Sequence, residues 1–242
     1  MESNRIVDEF RRYFAILPAR GELLRQQAYR IRYQVYAEEL GWEDKARFPE
    51  GYETDEYDAV SESCLLQHRE SQQFVGCVRL IMAGAAGAAI FPFEIALRHA
   101  GHALDCPGLQ PDWRVGAGEI SRVAVISQFR RRRNEQNHPD NPPDDEPDVI
   151  PERRVFPHIA MGLYLGAAAL GLSRGLERVF AIMEPKLARR LRSYGIEFEQ
   201  VGAPLEHHGL RIPYCLLRDS FERNMAPPIR ALLDTILADL AG

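Results

Sequence analysis

The stretch "TDEYDAVSESCLLQH", residues 54–68, sets two carboxylates, Asp55 and Asp58, three apart and directly ahead of an alternating segment. Such a pair can cap its own turn, ligate a metal, or form half of a charge cluster, and the turn is the ordinary expectation. Arg79 is more demanding. It sits inside "FVGCVRLIM", residues 74–82, a run too apolar to hold an arginine unless a carboxylate meets it, because an unpaired buried charge is very costly. A second pair, Glu119 and Arg122, stands in "EISR" at the start of another alternating run, where a carboxylate could serve as a base or simply close an ion pair. Arg32 completes the set, on a helical segment where a solvated charge is the ordinary expectation.

The elements that would have to position these residues are legible as periodicities. A short helix is expected over residues 5–17, and Leu24, Ala28, Ile31, Val35 and Leu40 space a second over 21–40. Residues 41–58 lack periodicity and read as a loop. Two strands follow at 59–68 and 73–83, joined by the polar "RESQ", then a loop and short helix in "FPFEIALRHAG" ended by Gly101, and a central strand at 119–126. Residues 134–151, "NEQNHPDNPPDDEPDVIP", are Pro- and acid-rich with few apolar side chains, the composition of a mobile insert. Beyond it come an Ala/Gly-rich helix at 155–175, a strand "LERVFAIM", a basic helix "KLARRLRSYG", strands near 196–202 and 211–217, and a last amphipathic helix at 227–240. This order predicts an α/β fold with one mixed central sheet flanked by helices, a single domain over 1–242.

Composition narrows the function classes. The 242 residues are 45% hydrophobic and 27% charged, with a net charge of −5, which suits a soluble globule and argues against a whole-surface attraction to nucleic acid. The charged start "MESNRIVDEFRRYF" lacks the apolar core of a signal peptide, so a cytoplasmic location is expected, and "VFPHIAMGLYLGAAALGL" is too short and too interrupted for a membrane span. Cys64, Cys77, Cys106 and Cys215 lie far apart, as reduced thiols would. The pairs His99/His102 and His207/His208 lack a third ligand at zinc spacing and read as surface or structural histidines, so no metal is expected. Neither G-x-x-x-x-G-K nor G-x-G-x-x-G occurs.

Taken together and in order, Arg32, Tyr36, Trp42, Asp55, Asp58, Arg79, Phe93, Glu119 and Arg122 resemble the signature of the acyl-homoserine-lactone synthases, which share the GNAT acyltransferase fold. The resemblance is dense over about residues 25–126 and weaker through "AIMEPKLARRLRSYGIEFEQVG". Tyr36 stands where phenylalanine is usual, the insert is longer, and the following helix is richer in Ala and Gly. In these features the chain is more similar to the acyltransferases associated with PEP-CTERM and exosortase systems and to long-chain N-acyl amino acid synthases.

The resemblance implies a GNAT-like fold and transfer of an acyl group from a thioester to an amine. That chemistry needs a neutral amine, hence a base, and a stabilised oxyanion. Glu119 is the expected base, with Arg122 beside it as the second catalytic residue. Asp55 and Asp58 are implied to face Arg32, Arg79 and Arg122 on the acceptor side, walled by Trp42 and Phe93, with Tyr36 among the substrate-binding residues. The expected acceptor is the amine of an amino acid; S-adenosylmethionine, as in a lactone synthase, is the alternative, and a noncatalytic acyl-binding protein is the third reading. The implied donor is acyl carrier protein or acyl-CoA, with no further cofactor. Two basic groups, Arg130 to Arg133 and Lys186, Arg189, Arg190 and Arg192, would suit the acidic surface of acyl carrier protein. They lack the interleaved aromatics of a single-strand nucleic-acid platform.

Overall fold

The structure is a computed structural model that describes residues 2–83, 90–106, 109–130 and 156–241. The expected insert at 134–151, Arg131 and the side chain of Arg130 lie outside the described residues. Helix α1 (Glu2–Tyr13) passes straight into strand β1 (Phe14–Pro18), so the helix expected over 5–17 ends early. Phe14 and Ile16 alternate into the core, and pairing with the next strand decides the matter over a stretch too short for its period to be read.

Helix α2 (Gly21–Arg32) continues as a π-helix over Tyr33–Glu39. Its i→i−5 bond from Leu40 N–H to the Val35 carbonyl widens the turn, and the Tyr36 hydroxyl donates to the Val123 carbonyl at 2.9 Å. The loop carries two 3-10 turns, Lys45–Arg47 and Glu56–Val60, and leads into β2 (Ser61–His68) and β3 (Phe74–Met82). Then follow α3 (Pro92–His99), β4 (Ala117–Val125), a four-residue helical turn α4 (Ser127–Arg130) and α5 (Phe156–Ser173).

Strand β5 (Arg178–Met183) and helix α6 (Pro185–Ser193) come next. The strand expected near 196–202 is only β6 (Glu199–Gln200); β7 (Leu205–Glu206) then turns back into β8 (Leu210–Leu217) as a hairpin the sequence reading lacked. Helix α7 (Arg218–Asn224), also not anticipated, precedes α8 (Pro227–Ala241).

The strands form one mixed sheet in the order β1-β2-β3-β4-β5-β8-β6, with β7 paired to β8. Neighbours are antiparallel except β4 and β5, which run parallel. Strand β3 is buried on both faces. Its Cys77 thiol meets the Ala28 carbonyl of α2, while Gly76 and Leu80 lie against Leu163 and Gly171 of α5, so α2 and α5 cover opposite faces. The glycines of α5 let it lie close: a Cβ on Gly162 would stand 2.5 Å from the Phe10 ring.

Two departures from a regular sheet make the site. Arg79 pairs with Ser121 and Cys77 with Ala124, so Arg122 and Val123 together oppose the single residue Val78, and Arg122 adopts φ 49°. This is a β-bulge. Strands β4 and β5 pair only from Ala117/Arg178 to Glu119/Phe180 and part beyond Glu119. The parting leaves a wedge between parallel strands, open on the β4 edge.

Candidate active site

The opening aspartates turn out to fill two roles at once. Asp55 Oδ1 accepts from Tyr57 N–H at 3.0 Å and Asp58 Oδ2 from Asp55 N–H at 2.9 Å, a capping box for the second 3-10 turn. Both oxygens of each carboxylate also meet arginines. Arg32 forks onto Asp58 through Nη1 at 2.6 Å and Nη2 at 3.2 Å. Arg79 forks onto Asp55, with Nη2 to Oδ2 at 3.0 Å, reaches Asp58 from Nη1 at 2.9 Å, and donates from Nε to Ser121 Oγ at 3.0 Å.

Glu53, which the sequence reading passed over, completes the set. It is 1% exposed, accepts from Arg32 Nε, and takes both Arg122 Nε and Nη2 on Oε1 at 3.2 and 3.1 Å. Arg122 Nη2 also lies 3.4 Å from Asp55 and 3.5 Å from Glu43. Nothing in "GYETDEYD" marks Glu53, because an aperiodic loop carries no facing information. Three arginines thus interlock with three carboxylates, and the bidentate geometry is the strong form of the interaction.

The electrostatics follow from that packing. Burial pushes the Glu53 carboxyl up, but the charges of Arg32 and Arg122 outweigh it and hold the group below the ordinary carboxylate range. Asp55 and Asp58 are likewise held low against burial, by the hydrogen bonds and charge of Arg79 and Arg32 respectively. Glu119 goes the other way. It is 3% exposed, and burial lifts its carboxyl to about 8, against the lowering hydrogen bond from Phe93 N–H at 3.1 Å and the more distant charges of Arg79 and Arg122. No arginine or lysine among the described residues reaches ion-pair distance of it.

A cavity of about 430 Å3 opens at the wedge. Among the expected site residues, Tyr36, Trp42, Asp55, Arg79, Glu119 and Arg122 line it. Arg32, Asp58 and Phe93 do not: Arg32 and Asp58 stand behind the wall, and Phe93 stacks on Phe180 at 4.6 Å while its backbone N–H holds Glu119. That N–H belongs to the first turn of α3, where helix donors have no intrahelical partner.

His207 and His208 are in the lining rather than remote from it. The His208 ring lies 4.4 Å from Trp42 at 7°, and Tyr36 lies 5.9 Å from Trp42 on a nearly parallel plane. The acids on the lining, Glu43, Asp55, Glu56 and Glu119, match the four arginines Arg47, Arg79, Arg122 and Arg211 in number. On α6, Lys186, Arg189 and Arg192 are exposed and Arg190 is half-buried; none lines the cavity, and the helix begins two residues after β5 leaves the wedge. Among the described residues no group of three or more His, Cys, Asp or Glu could hold a metal, and no helix is long and apolar enough to cross a membrane.

Comparison with known proteins agrees with this geometry. Residues 31–137 match the family model described as an acetyltransferase (GNAT) domain. An acyl-homoserine-lactone synthase of Pseudomonas fluorescens is 24% identical over 203 residues, covering 81% of either chain. Among solved structures, the CoA-dependent acyl-homoserine lactone synthase MesI superposes with a TM-score of 0.57 at 19% identity, over 90% of this chain and 94% of that one. A second CoA-dependent synthase, BjaI, solved with MTA, gives 0.56 at 21% identity, over 92% and 89%. The fold is accordingly that of the GNAT acyltransferases, and the chain is similar to the acyl-homoserine-lactone synthases.

Proposed function

We propose that the chain transfers a fatty acyl group from a carrier-protein or CoA thioester to the α-amine of an amino acid. The observation that carries this reading is Glu119: a buried carboxylate on the cavity wall, free of the ion-pair lattice beside it, at the point where β4 and β5 separate. In the reaction the amine attacks the thioester carbonyl, Glu119 takes the amine proton directly or through water, the C–N bond forms, and the C–S bond breaks to release thiolate. A base whose pKa lies near the operating pH is the efficient choice. The unpaired β4 edge beyond Glu119 offers backbone N–H groups to the oxyanion. Arginines and ionised carboxylates stand side by side on the lining, which favours an acceptor that carries ammonium and carboxylate together.

A lactone synthase acting on S-adenosylmethionine is the second reading. Its support is the Pseudomonas fluorescens relative. Purified protein given long-chain acyl carrier protein or acyl-CoA, with pooled amino acids in one arm and S-adenosylmethionine in the other, separates the two. Mass spectrometry should find N-acyl amino acids; acylation only with S-adenosylmethionine, releasing methylthioadenosine, would overturn the amino acid reading, and no acylated amine in either arm would overturn both.

A further inference from the structure

His208 is the last residue before the glycine of the β7–β8 turn, and its side chain is laid flat on Trp42 at the cavity wall. The ring separation of 4.4 Å at 7° is full stacking, leaving no room for a third ring between them. The backbone fixes this placement. His208 adopts φ 52° and Gly209 φ 100°, His207 N–H donates to the Gly209 carbonyl at 3.0 Å, and Gly209 N–H donates to Glu206 Oε1 at 2.8 Å. One step along β8, the Arg211 guanidinium lies 6.0 Å from the Trp42 ring while its Nη1 is 3.3 Å from Glu184 Oε1, at the end of β5. With Tyr36 also near-parallel to Trp42, the largest ring on the lining is engaged by the protein itself.

We propose that His208 sets what the acceptor can carry: by covering Trp42 it denies a planar base its stacking surface and restricts the acceptor to a compact amino acid. This rests on the acyltransferase reading and sharpens its acceptor side. An acceptor bearing a nucleoside has to find stacking area for its base, and each base stacked on an aromatic side chain contributes about 1–3 kcal/mol, roughly five- to more than a hundredfold in affinity. In this chain that contribution is blocked by a ring standing on a hairpin of two ladder pairs, Leu205 with Arg211 and Glu206 with Leu210.

The test is calorimetric titration of methylthioadenosine into the full chain and three variants. His208→Asn removes the ring but tolerates the left-handed backbone, and His208→Phe restores a ring. His208→Gly serves as a second ring-free variant. The expected result is about tenfold or tighter binding of methylthioadenosine to the ring-free variants than to wild type, with His208→Phe at the wild-type level. No gain on removing the ring, whether wild type and variants all bind or none does, overturns the assignment, as does an equal gain in His208→Phe. Titration needs no turnover, so a chain that made no acylated product would sink the function while leaving this comparison intact.

Discussion

In the folded chain Glu119 keeps its proton to about pH 8, whereas the unfolded chain releases it near 4.5. Between those values the folded state binds the extra proton, so this residue's contribution to stability falls as pH rises from about 5 to 8 and is flat above. The cluster carboxylates act oppositely. Glu53, Asp55 and Asp58 are held below their unfolded values, so their contribution is full above about pH 4 and is lost as acid protonates them and leaves Arg32 and Arg79 charged and unpaired. Glu119→Gln mimics the protonated carboxyl and can still accept from Phe93 N–H. Its stability relative to wild type should therefore climb with pH through that window, read by urea denaturation at pH 5, 7 and 9. Turnover should drop about a hundredfold or more while the wild-type rate rises with an inflection near pH 8. Near wild-type single-turnover acylation by Glu119→Gln would remove Glu119 as the base. Truncating a cluster arginine should instead destabilise the fold: Arg32→Leu breaks the buried ion pairs to Glu53 and Asp58 and leaves each with a single arginine, at a cost of up to about 3–5 kcal/mol visible as a lowered Tm.

On the scale of elements, the β4 bulge is what unites the site. Glu119 and Arg122 are three apart, and a regular strand would point them to opposite faces of the sheet. Glu119 shares its face with Ile81, Arg79 and Ser121, and the extra residue at Arg122 returns its guanidinium to that same side, onto Glu53 and Asp55. A comparison of Arg122→Gly with Arg122→Ala isolates the backbone, because both lose the same ion pairs. Alanine at φ 49° is strained and glycine is not, so the glycine variant should be more stable by about 1 kcal/mol in denaturant titration. Equal stabilities would deny the left-handed bulge in solution.

The bulge also marks the limit of what was legible from sequence. Strands β2, β3 and β4 and helices α5 and α6 announce themselves by period, and Arg79 by its implausible setting. Arg122's placement depends on one inserted residue that leaves the apolar alternation looking intact, so "EISR" alone could not say whether the pair faced one way. Glu53, Tyr57 and the His207–His208 turn were equally silent, since each lies in a loop or hairpin whose position comes from distant partners: Arg32 and Arg122 for Glu53, Trp42 for His208. Strand β1 was hidden for the same reason, its five residues being defined by β2.

Across the whole molecule, charge is distributed unevenly. The chain carries a net −5, yet α6 holds Lys186, Arg189, Arg190 and Arg192 within nine residues. The helix starts just past the cavity end of β5, after Glu184, and no ion pair among the described residues ties these four side chains to the protein. Exposed charges of this kind act through screened, longer-range attraction, which alters encounter with a partner more than stability. An acyl carrier protein presents an extended acidic surface, so it would meet several side chains of α6 while threading its thioester toward the wedge; acyl-CoA is smaller and concentrates its charge on its phosphates, so it would engage fewer of them. Reversing the charge at Arg189 and Arg190 to glutamate should therefore raise KM for acyl carrier protein donors with little change for acyl-CoA. Because each lost contact removes a screened attraction, the wild-type KM for the carrier donor should rise steeply with salt and the variant's only weakly. Equal salt slopes in the two proteins would take α6 off the docking surface, and an equal loss with acyl-CoA would show that the helix does not single out a carrier protein; an unchanged Tm checks that Leu187, Ala188 and Leu191 still pack into the core.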